Sequence, residues 1–330
     1  VGGRHRLEAL VAVPFVTDIL GPRRPVAGQA SPLVAGRRRR TSTIDTHPHE
    51  AGGSVVDLRA RDADGHGVLG EVRISARLSD NVVAEISATP SARGLDQLRG
   101  CRVGRGFRST VERLYPEEVQ RSSLLHLLLD DWVGAALVSG YATQHAAIVQ
   151  GIEEKMPPGV ADRMAGICAG FAPQASLIRY TRQHDVIPTG RGPVAPPLDG
   201  LHEVHALRAQ GMRRFRRLDV WPGDDGAAQF DAHFRDSHMD DNLVETIVHE
   251  YIVAGRVDTA TRTITSVSAE VRVLPWQECP GAIASAARIE GMGLAELRDR
   301  VRGEFVGTST CTHLNDTLRA IADLDALLDR

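Results

Sequence analysis

Along this chain, polar and apolar residues alternate with a period of two over residues 41–47, 53–62, 72–79, 82–89, 216–221, 226–236, 249–253 and 264–274. That period predicts strands, because successive side chains leave opposite faces of an extended backbone. In each half of the chain the first two stretches are joined by a glycine-containing turn and read as a hairpin. After Pro90 and after Pro275 the period lengthens to that of a helix. The apolar positions are then Leu95, Leu98, Phe107, Val111 and Leu114 in the first half, and Ile283, Ile289, Leu294, Leu297 and Val301 in the second. Each half closes on a further helical pattern, SSLLHLLLDDW over residues 122–132 and STCTHLNDTLRAIAD over residues 309–323.

Four strands followed by helices, twice over, predict an α+β protein of two tandem repeats, each a small antiparallel sheet covered by helices. The expected organisation is a flexible N-terminal segment (1–37), a first repeat (38–143), a helical connector with a Pro/Gly-rich linker (144–212) and a second repeat (213–330). Within the connector an amphipathic helix is expected around residues 160–169, a strand over 176–181 and the linker proper over 188–197.

Composition narrows the function. Of 330 residues, 42% are hydrophobic and 25% charged, as in soluble globular chains. Lys+Arg at 39 against Asp+Glu at 42 leaves no global positive field for nucleic acid, and 4% aromatic residues provide few stacking faces. The single lysine, Lys155, follows no glycine-rich loop, which removes a lysine-bearing phosphate loop. Residues 124–142 are the most apolar but contain Asp130 and Asp131, so no membrane span is expected. Arg4 and Arg6 precede an apolar run like that of a secretory signal, but Glu8, Pro14 and Asp18 interrupt it. Four scattered cysteines, Cys101, Cys168, Cys279 and Cys311, make no disulfide framework and point to a reducing cytoplasm.

Several polar clusters read as surface. Arg37 to Arg40 look like a solvated lead-in, Arg213 to Arg217 like exposed arginines at a strand start, and His47-Pro48-His49 like a turn. Asp224-Asp225-Gly226 reads as a hairpin turn, and Met239-Asp240-Asp241-Asn242 lacks calcium-loop spacing.

Cys279-Pro280 before a helical segment, and Cys311-Thr312-His313-Leu314 near the end, resemble a bacterial domain family of unknown function, over about residues 38–327. The runs 279–297 and 311–324 are also similar to the NifU-type iron–sulfur scaffold and SufE fold. That likeness implies that Cys279 and Cys311 face one another, although no counterpart of the scaffold's first cysteine lies between Asp240 and Ile252.

Cys279 stands at a strand-to-helix junction and Cys311 opens a helix, where free backbone N–H groups favour a thiolate. A zinc or iron site wants Cys, His and carboxylate ligands. The additions are His313 and one of Asp236, His238 and His249, and the preferred set is Cys279, Cys311, His313 and His249. With an open coordination position, Asp316 or Glu250 would carry a proton. Without metal, Cys311 would be a nucleophile beside His313 or His249, with Asp316 as the acid. The first half has His126 near the position of His313 but Leu124 in place of Cys311, so it reads as a partner that shapes the site. The expected function is a metal-dependent small-molecule enzyme of hydrolase, lyase or isomerase type. A metal or sulfur carrier with a protein-docking surface, and a structural or regulatory double domain, stay open.

Overall fold

The structure, a computed structural model, describes residues 18–27, 30–152, 155–198, 202–223 and 226–329. Every alternating stretch forms a strand: β1 (Arg38–Pro48), β2 (Ser54–Asp64), β3 (Gly67–Ser79), β4 (Val82–Thr89), β5 (Met212–Pro222), β6 (Ala227–Met239), β7 (Glu245–Asp258) and β8 (Thr263–Val273). They do not form two separate sheets. A single antiparallel sheet runs in the order β4-β3-β2-β1-β5-β6-β7-β8, joined by β1 against β5 from Arg38↔Val220 to Thr46↔Met212. Two isolated four-stranded sheets would leave four exposed edges, each a row of unpaired backbone groups, and the β1–β5 pairing removes two of them.

The helices are α1 (Phe107–Leu114), α2 (Pro116–Gln120), α3 (Leu124–Val138), α4 (Tyr141–Val149), α5 (Val160–Met164), α6 (Ser176–His184), α7 (Leu294–Glu304), α8 (Thr312–Ala320) and α9 (Leu324–Leu328), with 3₁₀ segments at Leu95–Leu98 and Cys279–Ile289. Among the described residues none is long and apolar enough to cross a membrane. Residues 176–181, expected as a strand, belong to α6. Leu177, Ile178 and Thr181 are buried at helical spacing, and so short a stretch does not separate the two periods. The helix expected over 160–169 stops at Met164, just before Gly166 with its φ of 90°.

Two apolar cores lie between the sheet and its helices. One gathers Val56, Leu58, Ile74, Phe107, Leu128 and Trp132, and the other Phe234, Tyr251, Val253, Leu297, Leu314 and Leu318. The opposite face is covered by straps. Arg235 Nη1 on that face donates to the Pro196 carbonyl at 2.8 Å and His202 bonds the hydroxyls of Thr41 and Thr43, while backbone bonds from Leu274 to Pro22, Ile247 to Pro193 and Ala195 to Glu245 pair the straps with the free edges of β8 and β7. The Pro/Gly run is thereby seated on the sheet, so closely that a Cβ on Gly192 would lie 1.7 Å from the Ile247 carbonyl oxygen.

Between the two cores, the seam is ionic. Arg40, Arg108, Arg214, Arg216, Arg298 and Arg319 interlock with Asp62, Asp130, Asp131, Asp236, Asp316 and Asp323. The arginine runs expected at the surface are therefore largely buried: Arg39 bonds Asp219 at 2.6 Å, Arg40 bonds Asp62 at 2.8 Å and Arg213 bonds Asp45 at 2.7 Å. Their acceptors come from distant parts of the chain, which a local charge pattern does not display. His47, expected in a solvated turn, is buried on β1. A planar fork that grips a carboxylate through two donors suits such pairs better than an ammonium, and Lys155 stands exposed outside them. The N-terminal stretch 1–17, part of the expected flexible segment, lies outside the described residues, as do Asp224 and Asp225.

Candidate metal centre at the foot of an apolar cavity

β6 and β7 set Asp236 opposite His249, both pointing to the helices. Just beyond, the register slips so that Ser237 faces Ile247 and Val248 is the extra residue of a bulge. Such a bulge bends its strand and re-aims the side chains beside it. His313 arrives from the first turn of α8, which Cys311 opens in an extended conformation. The His249 and His313 rings stack with centroids 3.6 Å apart and 19° between planes. His249 Nδ1 lies 3.4 Å, and His313 Nε2 3.8 Å, from the same Asp236 oxygen, Oδ2. Among the described residues these three form the one group of three or more potential ligands whose donor atoms all lie within 4.8 Å of each other.

Arg214 holds the carboxylate from the other side. Its Nε donates to Asp236 Oδ1 at 2.9 Å and its Nη2 to Oδ2 at 3.0 Å. Its Nη1 donates to Asp131 at 3.1 Å and to Asp316 at 2.9 Å. Burial alone would raise the pKa of Asp236, but the Arg214 charge, with His249 and His313 beside it, holds it well below the usual carboxylate range. Burial, reinforced by the neighbouring His249, pushes His313 well below the ordinary imidazole value, so that ring is neutral. His249 is 8% exposed, and its buried Nδ1 has no hydrogen-bond partner despite facing Asp236, because contact at 3.4 Å is poorly aligned for one.

Above this cluster opens a cavity of about 480 Å³. His249, His313, Thr312 and Asp316 lie at its foot, while α3 contributes Leu137 and Val138, α4 adds Tyr141, the connector adds Ile167, Phe171 and Ile187, and Trp276 closes one side. Tyr141 ties the start of α4 to the strap: its hydroxyl donates to the Gly190 carbonyl at 2.7 Å and accepts from the Gly190 N–H at 2.8 Å. Gly134 is needed where α3 crosses Arg214, since a Cβ there would stand 2.0 Å from Nη1 and 2.3 Å from an Asp316 oxygen.

Of the residues singled out from sequence, His249 and His313 meet, joined by Asp236. Cys279 and Cys311 lie outside the three-residue cluster, in the apolar core. The thiolates expected there are disfavoured: burial raises both thiols, Cys279 further through Cys311 and Cys168. Burial likewise pushes Cys168, at the cavity wall, up to about 12. Cys311 Sγ accepts from the Tyr251 hydroxyl at 3.3 Å and lies 3.9 Å from His313 Nδ1, behind the imidazole. Asp316 reaches the cavity, but its oxygens are engaged by Arg214, Arg108 and Arg319. Glu250 points to the other face of the sheet, where it bonds His233 and Arg235. His238 bonds Thr246 at 3.0 Å, under the rings of Tyr141 and His145.

Arg214 is missed by the sequence pattern and Asp236 stands there only as an alternative to His249, yet a signal for the pair exists. Arg40 and Asp62 stand 22 residues apart, and so do Arg214 and Asp236. No curated protein and no solved structure matches the chain. Where sequence pattern pointed to a domain family of unknown function over about 38–327, the match found is shorter: residues 212–326, which carry Arg214, Asp236, His249 and His313, are similar to the family described as Protein of unknown function (DUF2889).

Proposed function

We propose that the protein is a metal-dependent enzyme acting on a small molecule, with zinc or iron held by Asp236, His249 and His313. The observation that carries this reading is the convergence of one carboxylate oxygen and two imidazole nitrogens, one of them buried without a partner, at the foot of a cavity. Donor atoms around a tetrahedral zinc with bonds of ~2.1 Å stand ~3.4 Å apart, close to the 3.4 and 3.8 Å separations here. Two histidines and one carboxylate also suit non-haem iron(II).

When bound, such a metal polarises a carbonyl or activates water, which fits hydrolase, lyase or isomerase chemistry. The chain's own residues divide the remaining work. Arg214 orients Asp236 through two hydrogen bonds, and Thr312 and Cys311 lie on the Nδ1 side of His313, so that its Nε2 faces Asp236. The walls around the cluster are mainly apolar and bring few competing polar groups to it. A carrier of metal or sulfur needs accessible thiolates, and the burial of Cys279 and Cys311 speaks against that reading. We also read the two halves as copies of one unit, supported by the matching Arg–Asp pairs and by register slips at the same place in each.

The test is metal content by plasma mass spectrometry and titration of the apoprotein with cobalt(II), followed by its visible absorption. Wild type and Cys311→Ser are expected to take up near one equivalent, and His249→Asn and His313→Asn to lose it. Uptake lost in Cys311→Ser but kept in His249→Asn would overturn this ligand set in favour of the cysteines, and no uptake in wild type would overturn the metal reading.

A further inference from the structure

Resting on the metal reading above, we infer that the cavity takes a hydrophobic monocarboxylate, with its apolar body among the walls and its anionic head at the Asp236–His249–His313 cluster. The body follows from the lining. Leu137, Ile167, Phe171, Ile187 and Trp276 present hydrocarbon and aromatic surface, and the volume of about 480 Å³ lies within the ~300–1,000 Å³ of small-molecule sites.

The head follows from charge. Along the seam behind the cavity foot the arginines and aspartates balance, six against six, with Asp236, Asp131 and Asp316 all matched through Arg214 and its neighbours. Imidazoles ligate a metal as neutral rings and so bring no charge of their own. A divalent cation on this cluster therefore introduces positive charge that no described residue lining the cavity is free to offset, since Asp316 is already engaged by three arginines. Uncompensated charge in so apolar a chamber is costly. A ligand that carries its own negative charge removes that cost, and an alcohol of the same shape does not.

Phenylbutyrate and phenylbutanol, nearly equal in shape, separate the two contributions. Each is titrated by calorimetry into zinc-loaded and metal-free protein, with zinc content measured on the same samples. The acid is expected to bind the zinc form roughly 100-fold more tightly than the metal-free form, and the alcohol to bind both forms equally and weakly. His249→Asn should abolish the acid's preference and keep the alcohol's binding. Equal affinity of acid and alcohol for the zinc form would overturn the anionic head. Binding of neither would overturn the apolar body, in both cases with the metal reading intact. Failure to load zinc, reported separately by the metal analysis, would overturn the reading on which this inference rests.

Discussion

In the first half of the sheet Arg40 faces Asp62 across β1 and β2, and in the second half Arg214 faces Asp236 across β5 and β6. Both guanidinium groups grip their carboxylates through Nε and Nη2, at 2.8 and 2.9 Å in one case and 2.9 and 3.0 Å in the other. In both, the register of the next strand slips immediately past the aspartate. The third strand differs: Asp62 faces Gly70, whereas Asp236 faces His249. The helices differ as well. His313 stacks on His249, while His126, at the start of the first-half helix, is buried with its Nδ1 unpartnered and surrounded by Arg298, Arg319, Asp130 and Asp323. The ion pair is thus architecture common to both halves, and the histidines are what the second half adds.

The largest expected effect tests that common architecture. Arg40→Ala and Arg214→Ala each take the two-donor grip from one buried carboxylate, Asp62 and Asp236 respectively, and each should lose about 3–5 kcal/mol in urea unfolding. A loss much smaller for Arg40→Ala would break the equivalence.

Acid comes next. Burial first, then Arg298, lowers the pKa of His126 from 6.5 to about 4, so the folded protein binds this proton less readily than the unfolded chain. Its contribution is therefore present in full above pH 6.5 and is lost as pH falls toward 4, by about 3 kcal/mol. The carboxylates act lower on the scale. Their folded pKa values are depressed, so the stability they add persists above the unfolded carboxylate value and is lost only below it. Unfolding measured between pH 7 and 4 should flatten in His126→Leu, and an unchanged slope would remove His126 from the account.

The smallest effect separates the halves. Gly134→Ala pushes a methyl into Arg214 Nη1 and leaves Arg40 untouched, and should destabilise by about 1–3 kcal/mol while weakening cobalt(II) binding. Retained cobalt affinity would show that Arg214 need not be held in place for the cluster to form.

The strands were legible because a two-residue period survives wherever one face of a sheet is apolar. Their neighbours were not, since β1–β5 pairing joins residues far apart in sequence and leaves no local mark. Arg40 and Arg214 misled for the same reason: a run of arginines looks solvated until Asp323, Asp131 and Asp316 arrive from elsewhere. At the site, the sequence pattern points to His249 and His313, with Asp236 among the alternatives. The cysteines stand out in sequence because a helix start favours thiolate, and burial reverses that preference for Cys279 and Cys311.

The cavity takes its floor and its walls from different stretches of chain. The floor comes from β7 and α8, within the 212–326 match, and most of the walls come from α3 and the connector, ahead of it. Leu137, Ile167 and Ile187 take no part in the ion pairs of the seam. On the proposed reading, replacing them would change what fits without moving Arg214 or the cluster it orients, so that in evolutionary terms selectivity would be free to drift while the chemistry beneath it stayed fixed.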